Sequence, residues 1–398
     1  MFSALCRRLL PLALGTGFVF AAAPAFSALG DTASSQARHI ATVFPGRMTG
    51  TPPEMLSADY LRQQFALMGY QSDVRSFNTR YIYTDSNQRK NWHNATGSTV
   101  IAAHEGKVRQ QFALMGYQSD VRSFNTRYIY TDSNQRKNWH NATGSTVIAA
   151  HEGKVRQQII IMAHLDTYAP QSDKDVENNL GGLTLQGIDD NAMGLGVLLE
   201  LAEHLKNVPT RYGIRFIATS GEEEGRLGAQ NLLQRMSEAE KKNTLLVINL
   251  DNLVVGDKLY FNSGRSTPAS VRKLTRDRAL AIARSKGIAA YTNPGLNPAY
   301  PKGTSCCNDA SVFDNAGIPV LSVEATNWSL GKKDGYQQRS KSASFPQGTS
   351  WHDVQLDNQQ YIDHALPGRI EHRGREVVKV MLPLVKELAK VEKPSSLK

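Results

Sequence analysis

Gln158-Ile159-Ile160-Ile161-Met162-Ala163-His164-Leu165-Asp166 sets the architecture of this chain. From Ile159 to Ala163 no polar residue interrupts the run, the pattern of a short strand buried on both faces. It ends on a histidine and an aspartate. Downstream the periodicity alternates: an amphipathic helix over Met193 to Leu205, a strand over Gly213 to Ser220, a helix over Leu227 to Met236 and an apolar strand over Leu245 to Leu250. Alternation of this kind predicts an α/β fold with a largely parallel sheet, whose functional residues stand at the carboxyl ends of strands.

Polar residues gather at those ends. After His164, Asp166 suits a metal-site role, because a carboxylate that takes the second ring N–H of a histidine fixes its tautomer; a capped strand end is the plainer account. Asp189 and Asp190, within Gly187-Ile-Asp-Asp-Asn-Ala-Met-Gly194, open the next helix. Acids there also suit the helix dipole, but the two oxygens of one carboxylate can bridge cations about 3.5–4 Å apart. Glu222, Glu223 and Glu224 follow the next strand. A solvated acidic turn would explain them; cations would relieve their repulsion, one glutamate ligating while its neighbour serves as general base. Asp251 follows Leu250, and His352, in Ser350-Trp351-His352-Asp353, supplies a second imidazole. Two histidines with three carboxylates and no thiolate suit catalytic zinc or cobalt better than magnesium, calcium or a structural metal.

Residues 1–28 differ from the rest. Arg7 and Arg8, an apolar run from Leu9 to Ala23 and small residues up to Ala28 have the form of a cleaved signal peptide. The run is short of the roughly 20 residues that a membrane span needs, so residues 29–398 are expected as an exported globular domain without a stable membrane anchor. Cys6 goes with the leader. Cys306 and Cys307 remain, as a vicinal disulfide or as two thiols, and the core cannot depend on them. The formal charge of +10 is not a nucleic-acid signature. Arg7 and Arg8 account for part of it, a duplicated segment for more, and no basic cluster with interleaved aromatics remains.

That segment, 62–108, recurs letter for letter as 109–155. Identity that extends to loop residues fits a recent tandem duplication, or an assembly error, better than a solenoid, since structural repeats drift at their surfaces and need about three copies. Each copy holds the second half of a helix, an aromatic extended stretch and a strand. Only the first copy has a helix start, Ser57-Ala58-Asp59, and only the second copy's strand, Ser145 to Ala150, runs directly into Ile159. The expectation is therefore that the first copy's helix and the second copy's strand are used, with the material between looped out.

Taken together, the strand-end residues resemble the zinc-dependent aminopeptidase family that includes bacterial leucyl aminopeptidases and, more distantly, glutamate carboxypeptidase. The resemblance spans nearly all of the mature chain, the duplicated unit counted once. It implies a three-layer α/β/α sandwich around a mixed, mainly parallel sheet. It also implies two zinc ions, with cobalt able to substitute, held by His164, Asp190, Glu223, Asp251 and His352. Asp190 would bridge, Asp166 would orient His164 and Glu222 would act as general base. The implied substrates are peptide or protein N-termini. Likeness to members from enteric bacteria implies a periplasmic enzyme that removes N-terminal arginine from alkaline phosphatase subunits. Asp173, Asp175, Glu177, Asp309 and Glu324 are candidate acids for an arginine pocket. Where many relatives carry Ser-Asp-His, this chain has Cys307-Asn308-Asp309. A carboxypeptidase or glutaminyl cyclase on the same scaffold, and a binding protein disabled by the duplication, are the competing assignments.

Overall fold

The computed structural model describes residues 28–84, 90–103, 122–131, 137–146, 153–330 and 350–390. The expected leader lies outside them except for Ala28. Ten strands form one sheet among these residues: β1 (Gln71–Thr84), β2 (Lys90–Ala103), β3 (Arg122–Thr131), β4 (Lys137–Thr146), β5 (Gln158–His164), β6 (Gly213–Thr219), β7 (Thr244–Leu250), β8 (Lys258–Ser263), β9 (Ala290–Tyr291) and β10 (Val320–Thr326). Their order is β3-β4-β1-β2-β6-β5-β7-β10-β8-β9. The central four, β6, β5, β7 and β10, are mutually parallel, while β2 and β8 flank them antiparallel.

Side chains of the central strands alternate between two cores. Ile159, Ile161 and Ala163 pack with the helices Asp31–Val43, Met193–Leu205 and Arg369–Leu388, whereas Ile160 and Met162 face Leu232 of Leu227–Arg235 and Phe313 of Ala310–Asn315. This is the three-layer α/β/α sandwich. Each buried Ile or Leu contributes about 1.5–3 kcal/mol, so both faces are held by burial. Helices Asp31–Val43 and Met193–Leu205 cross closely at Gly196, where a Cβ would stand 2.1 Å from the Ala33 carbonyl oxygen. One turn away Glu200 accepts the backbone N–H groups of Gly30 and Ala33, each at 2.7 Å, and so satisfies donors that the first turn of a helix leaves open.

The duplication is resolved differently from the sequence expectation. Beside β6 stands the first copy's strand, Val100–Ala103 opposite Ala218–Arg215, and β4 of the second copy lies on the far edge of β1. Of the expected strand Ser145 to Ala150, residues 147–150 lie outside the described set. Both copies close the same hairpin, so connectivity is what separates them: β1 follows the packed helix Pro52–Leu67 after a three-residue turn, and short connections close at little entropic cost. Ser76 and Phe77 pair with Ser98 and Gly97 on one side and with the duplicate residues Ser145 and Gly144 on the other. No helix among the described residues is long and apolar enough to cross a membrane. Cys306 and Cys307 are bridged.

Candidate metal centre

Three ligand-type residues sit where parallel strands end. His164 terminates β5, Glu223 follows the end of β6 and Asp251 follows β7 directly. Asp190 lies in the turn before Met193–Leu205, entered through Gly187 at φ +56°, where a Cβ would strike the Asp190 carbonyl oxygen at 2.5 Å. His352 arrives on the segment after β10, itself in the left-handed region at φ 64°.

These five converge as two triads with one member in common. His164, Asp190 and Asp251 offer atoms within 4.8 Å of one another, and so do Asp190, Glu223 and His352. Asp190 divides its oxygens between them: Oδ1 is 2.9 Å from His164 Nε2, and Oδ2 is 3.4 Å from His352 Nε2. His164 Nε2 also lies 3.2 Å from Asp251 Oδ1, and His352 Nε2 2.9 Å from Glu223 Oε2.

The donor set fits divalent metal. Burial and neighbouring carboxylates push Glu223 up to about 7. Against the cost of burial, Glu223 and Asp190 push His352 up to about 10, and Asp251, Asp166 and Asp190 raise His164 well above its usual value. Burial also favours the neutral form of Asp190, but the two imidazoles hold it below the ordinary carboxylate range. Protons thus stand in for positive charge that a cluster of acids demands, and metal cations would supply that charge instead. Glu223 Oε1 is buried without a hydrogen-bond partner. Each triad offers one imidazole nitrogen and two carboxylates, donors that zinc accepts.

Glu222 lies beside the pair and is partly open to solvent. Desolvation raises its carboxyl well above the usual range; His164 opposes the shift, and Glu223, Asp309 and Asp251 add to it. A carboxyl tuned upward suits general-base work near neutral pH. Asp166 meets His164 differently from expectation. Nδ1 of His164 bonds to the main-chain carbonyl of Asp166 at 3.0 Å, while the carboxylate is 3.7 Å away. Both carboxylate oxygens instead accept backbone N–H groups, from Glu222 at 3.3 Å and Glu223 at 3.1 Å, which anchors the turn that carries those two glutamates.

The pocket acids disperse. Asp175 accepts from Tyr168 Oη and the Gln171 amide, Asp173 and Glu177 belong to a short surface helix, and Glu324 accepts from Asn262 and Trp328 Nε1. Asp309 reaches the site's interior, where it accepts from Thr219 Oγ1 and burial raises it to about 7. Three contributors carry no strong sequence signal. Arg47, fully buried in a Pro-Gly loop, donates to the carbonyls of Leu165, Gln186 and Gly187, and burial lowers it to about 10. Asp357 caps the turn that holds Asp190, and Tyr168 stacks on His352. Only the spacing of Asp357, five residues beyond His352, hinted at its place.

The pattern of Peptidase family M28 matches residues 146–378. The chain belongs to Peptidase family M28. This M28 peptidase is 66% identical over 390 residues to the alkaline phosphatase isozyme conversion protein of Escherichia coli K12, which covers 98% of this chain and 99% of that one. Among solved structures its fold resembles a zinc aminopeptidase from Bacillus subtilis, with TM-score 0.58, 14% identity and coverage of 93% of this chain and 97% of that one. It also resembles a glutaminyl cyclase from Fimbriiglobus ruber, with TM-score 0.53, 16% identity and coverage of 93% and 98%. The α/β/α sheet expected of an M28 peptidase is thus the one observed.

Proposed function

We propose that this M28 peptidase is an exported two-zinc aminopeptidase that removes the N-terminal residue of peptides or proteins. The observation that carries it is the pair of ligand triads sharing Asp190. Zinc held by the two triads would lower the pKa of bound water to about 7 and polarise the scissile carbonyl. The protein's own groups do the rest. His164 with Asp251 and His352 with Glu223 hold the two ends of the site, Asp190 fixes their separation, and Asp166 sets the Glu222–Glu223 turn. Glu222 takes a proton from the attacking water and returns it to the leaving amine. A carboxylate at the site would hold the substrate's free amino group.

The name of the Escherichia coli relative supports alkaline phosphatase as a substrate, the family resemblance implies N-terminal arginine as the residue removed, and the leader-like residues 1–28 support the periplasm. Cobalt is expected to substitute for zinc. The likeness to a glutaminyl cyclase gives the second assignment; the completeness of both triads favours the two-metal hydrolase over a single-zinc cyclase.

The test is hydrolysis of arginyl, leucyl and N-blocked arginyl amides by the mature protein, before and after chelation and zinc return. Zinc-restored cleavage confined to free-amine substrates is the expected result. Turnover of N-terminal glutamine to a lactam with no hydrolysis, or a folded two-zinc protein that cleaves none of the amides, would sink the assignment.

A further inference from the structure

Asp357 is fully buried, and its carboxylate spans two consecutive peptide groups. Oδ1 accepts the Asp189 N–H at 2.8 Å and Oδ2 the Asp190 N–H at 3.1 Å, while its own carbonyl accepts the Gly187 N–H at 3.2 Å. A side chain that receives adjacent N–H groups on both oxygens fixes the orientation of that backbone, and with it the direction in which the Asp190 side chain leaves. Asp189 completes the frame. Its Oδ1 accepts the amides of Val254 and Val255, just beyond Asp251, and its Oδ2 accepts the Ser350 hydroxyl, two residues before His352.

Three ligand-bearing segments, around Asp190, Asp251 and His352, are therefore tied through one pair of acids that ligate nothing themselves. The other two ligands, His164 and Glu223, lie outside this frame: His164 ends β5 itself, and Asp166 holds the turn of Glu223. Arg47 is the buried cation beside Asp357, and its guanidinium is already committed to main-chain carbonyls. What remains for Asp357 is the placement of the shared ligand. Metal constellations must be held within about 0.5 Å of their working geometry, and a carboxylate that serves both metals has the least room to move.

We infer that Asp357 is a positioning residue for the bridging ligand, so that it sets the affinity of the site for its metal pair. This rests on the two-metal assignment above. The measurement is zinc uptake by the chelator-stripped full mature chain in competition with a chromophoric chelator, with melting temperatures taken with and without zinc. Wild type takes up two zinc ions. In Asp357→Asn one backbone N–H faces an amide N–H, and zinc affinity is expected to fall about 10–100-fold, the usual effect of altering a partner behind a ligand. The melting-temperature gain from zinc shrinks, while the metal-free protein melts close to wild type.

Wild-type zinc affinity in Asp357→Asn overturns the proposal. So does a lower metal-free melting temperature with an unchanged zinc increment, because that is the mark of a purely structural residue. Failure of both Asp357→Asn and Asp357→Ser to fold in excess zinc also overturns it, since the fold rather than the site would then need the carboxylate. Uptake of fewer than two ions by wild type counts against the two-metal assignment instead, and the comparison is blind to whether the substrate has been named correctly.

Discussion

Tyr168 lies flat on the imidazole of His352, with ring centroids 4.1 Å apart and 6° between the planes. Its hydroxyl donates to Asp175 at 3.1 Å, which pins the ring from the other end. Aromatic pairs contribute about 0.5–1.5 kcal/mol beyond their buried area. Tyr168→Ala should therefore weaken metal retention at the His352 triad by about 2–10-fold, while Tyr168→Phe keeps the stack and stays near wild type. Chelator competition on the two variants decides it; equal losses would show that the hydroxyl, not the ring, matters.

Glu222 offers a cleaner separation of chemistry from binding. Glu222→Gln keeps the shape and removes the proposed base, so kcat should fall about 10²–10⁴-fold with zinc uptake unchanged. Steady-state rates beside metal analysis on the same sample make the check. A variant that loses zinc together with rate would move Glu222 from base to ligand.

Away from the site, Glu200 closes the start of helix Asp31–Val43 from a neighbouring helix. Glu200→Ala strands two buried N–H donors, each costing about 1–3 kcal/mol when left unsatisfied. Denaturant midpoints should drop accordingly, with the folded fraction retaining its turnover rate.

Glu240 carries a pH signature. Partial burial works against its ionised form, but the Ser237 N–H and hydroxyl, at 2.8 and 3.0 Å, and then Arg215 hold it below the ordinary carboxylate value. A depressed folded pKa means stabilisation that is present above the unfolded value of about 4.3 and is lost as pH falls through the folded one. The melting-temperature gap between wild type and Glu240→Gln should be constant near neutrality and close below about pH 4, reflecting less than about 1 kcal/mol because the group is half exposed. A gap that widens in acid would reverse the sign.

Removal of residues 109–155 joins Val108 to Arg156 and deletes one copy. β1, β2 and their pairing with β6 remain. Since no central strand is touched, the shortened chain should fold and turn over within about twofold of the full one, as expected when only edge backbone is affected. An insoluble or inactive product would show that β3 and β4 are needed.

Much of this was legible in the residues. The isoleucine run of β5 announced a doubly covered strand, and the acids after β6 and β7 stood out because charges at the ends of apolar runs need a reason. Arg47 and Asp357 did not stand out, because their partners are main-chain atoms, most of which the fold brings from more than 100 residues away. The bond from His164 to the Asp166 carbonyl was hidden for a related reason: a sequence names side chains, and this contact is backbone. Which copy would stand beside β6 was equally closed to inspection, since identical strings have identical propensities and only connectivity separates them.

β1 offers its two edges to two identical strands in matching register over Ser76 and Phe77. A substitution that spoils one of those strands leaves an intact spelling of it elsewhere in the same chain. The chain therefore spells one flank of its sheet twice, with one copy set against the central strands and the other against the outer edge of β1.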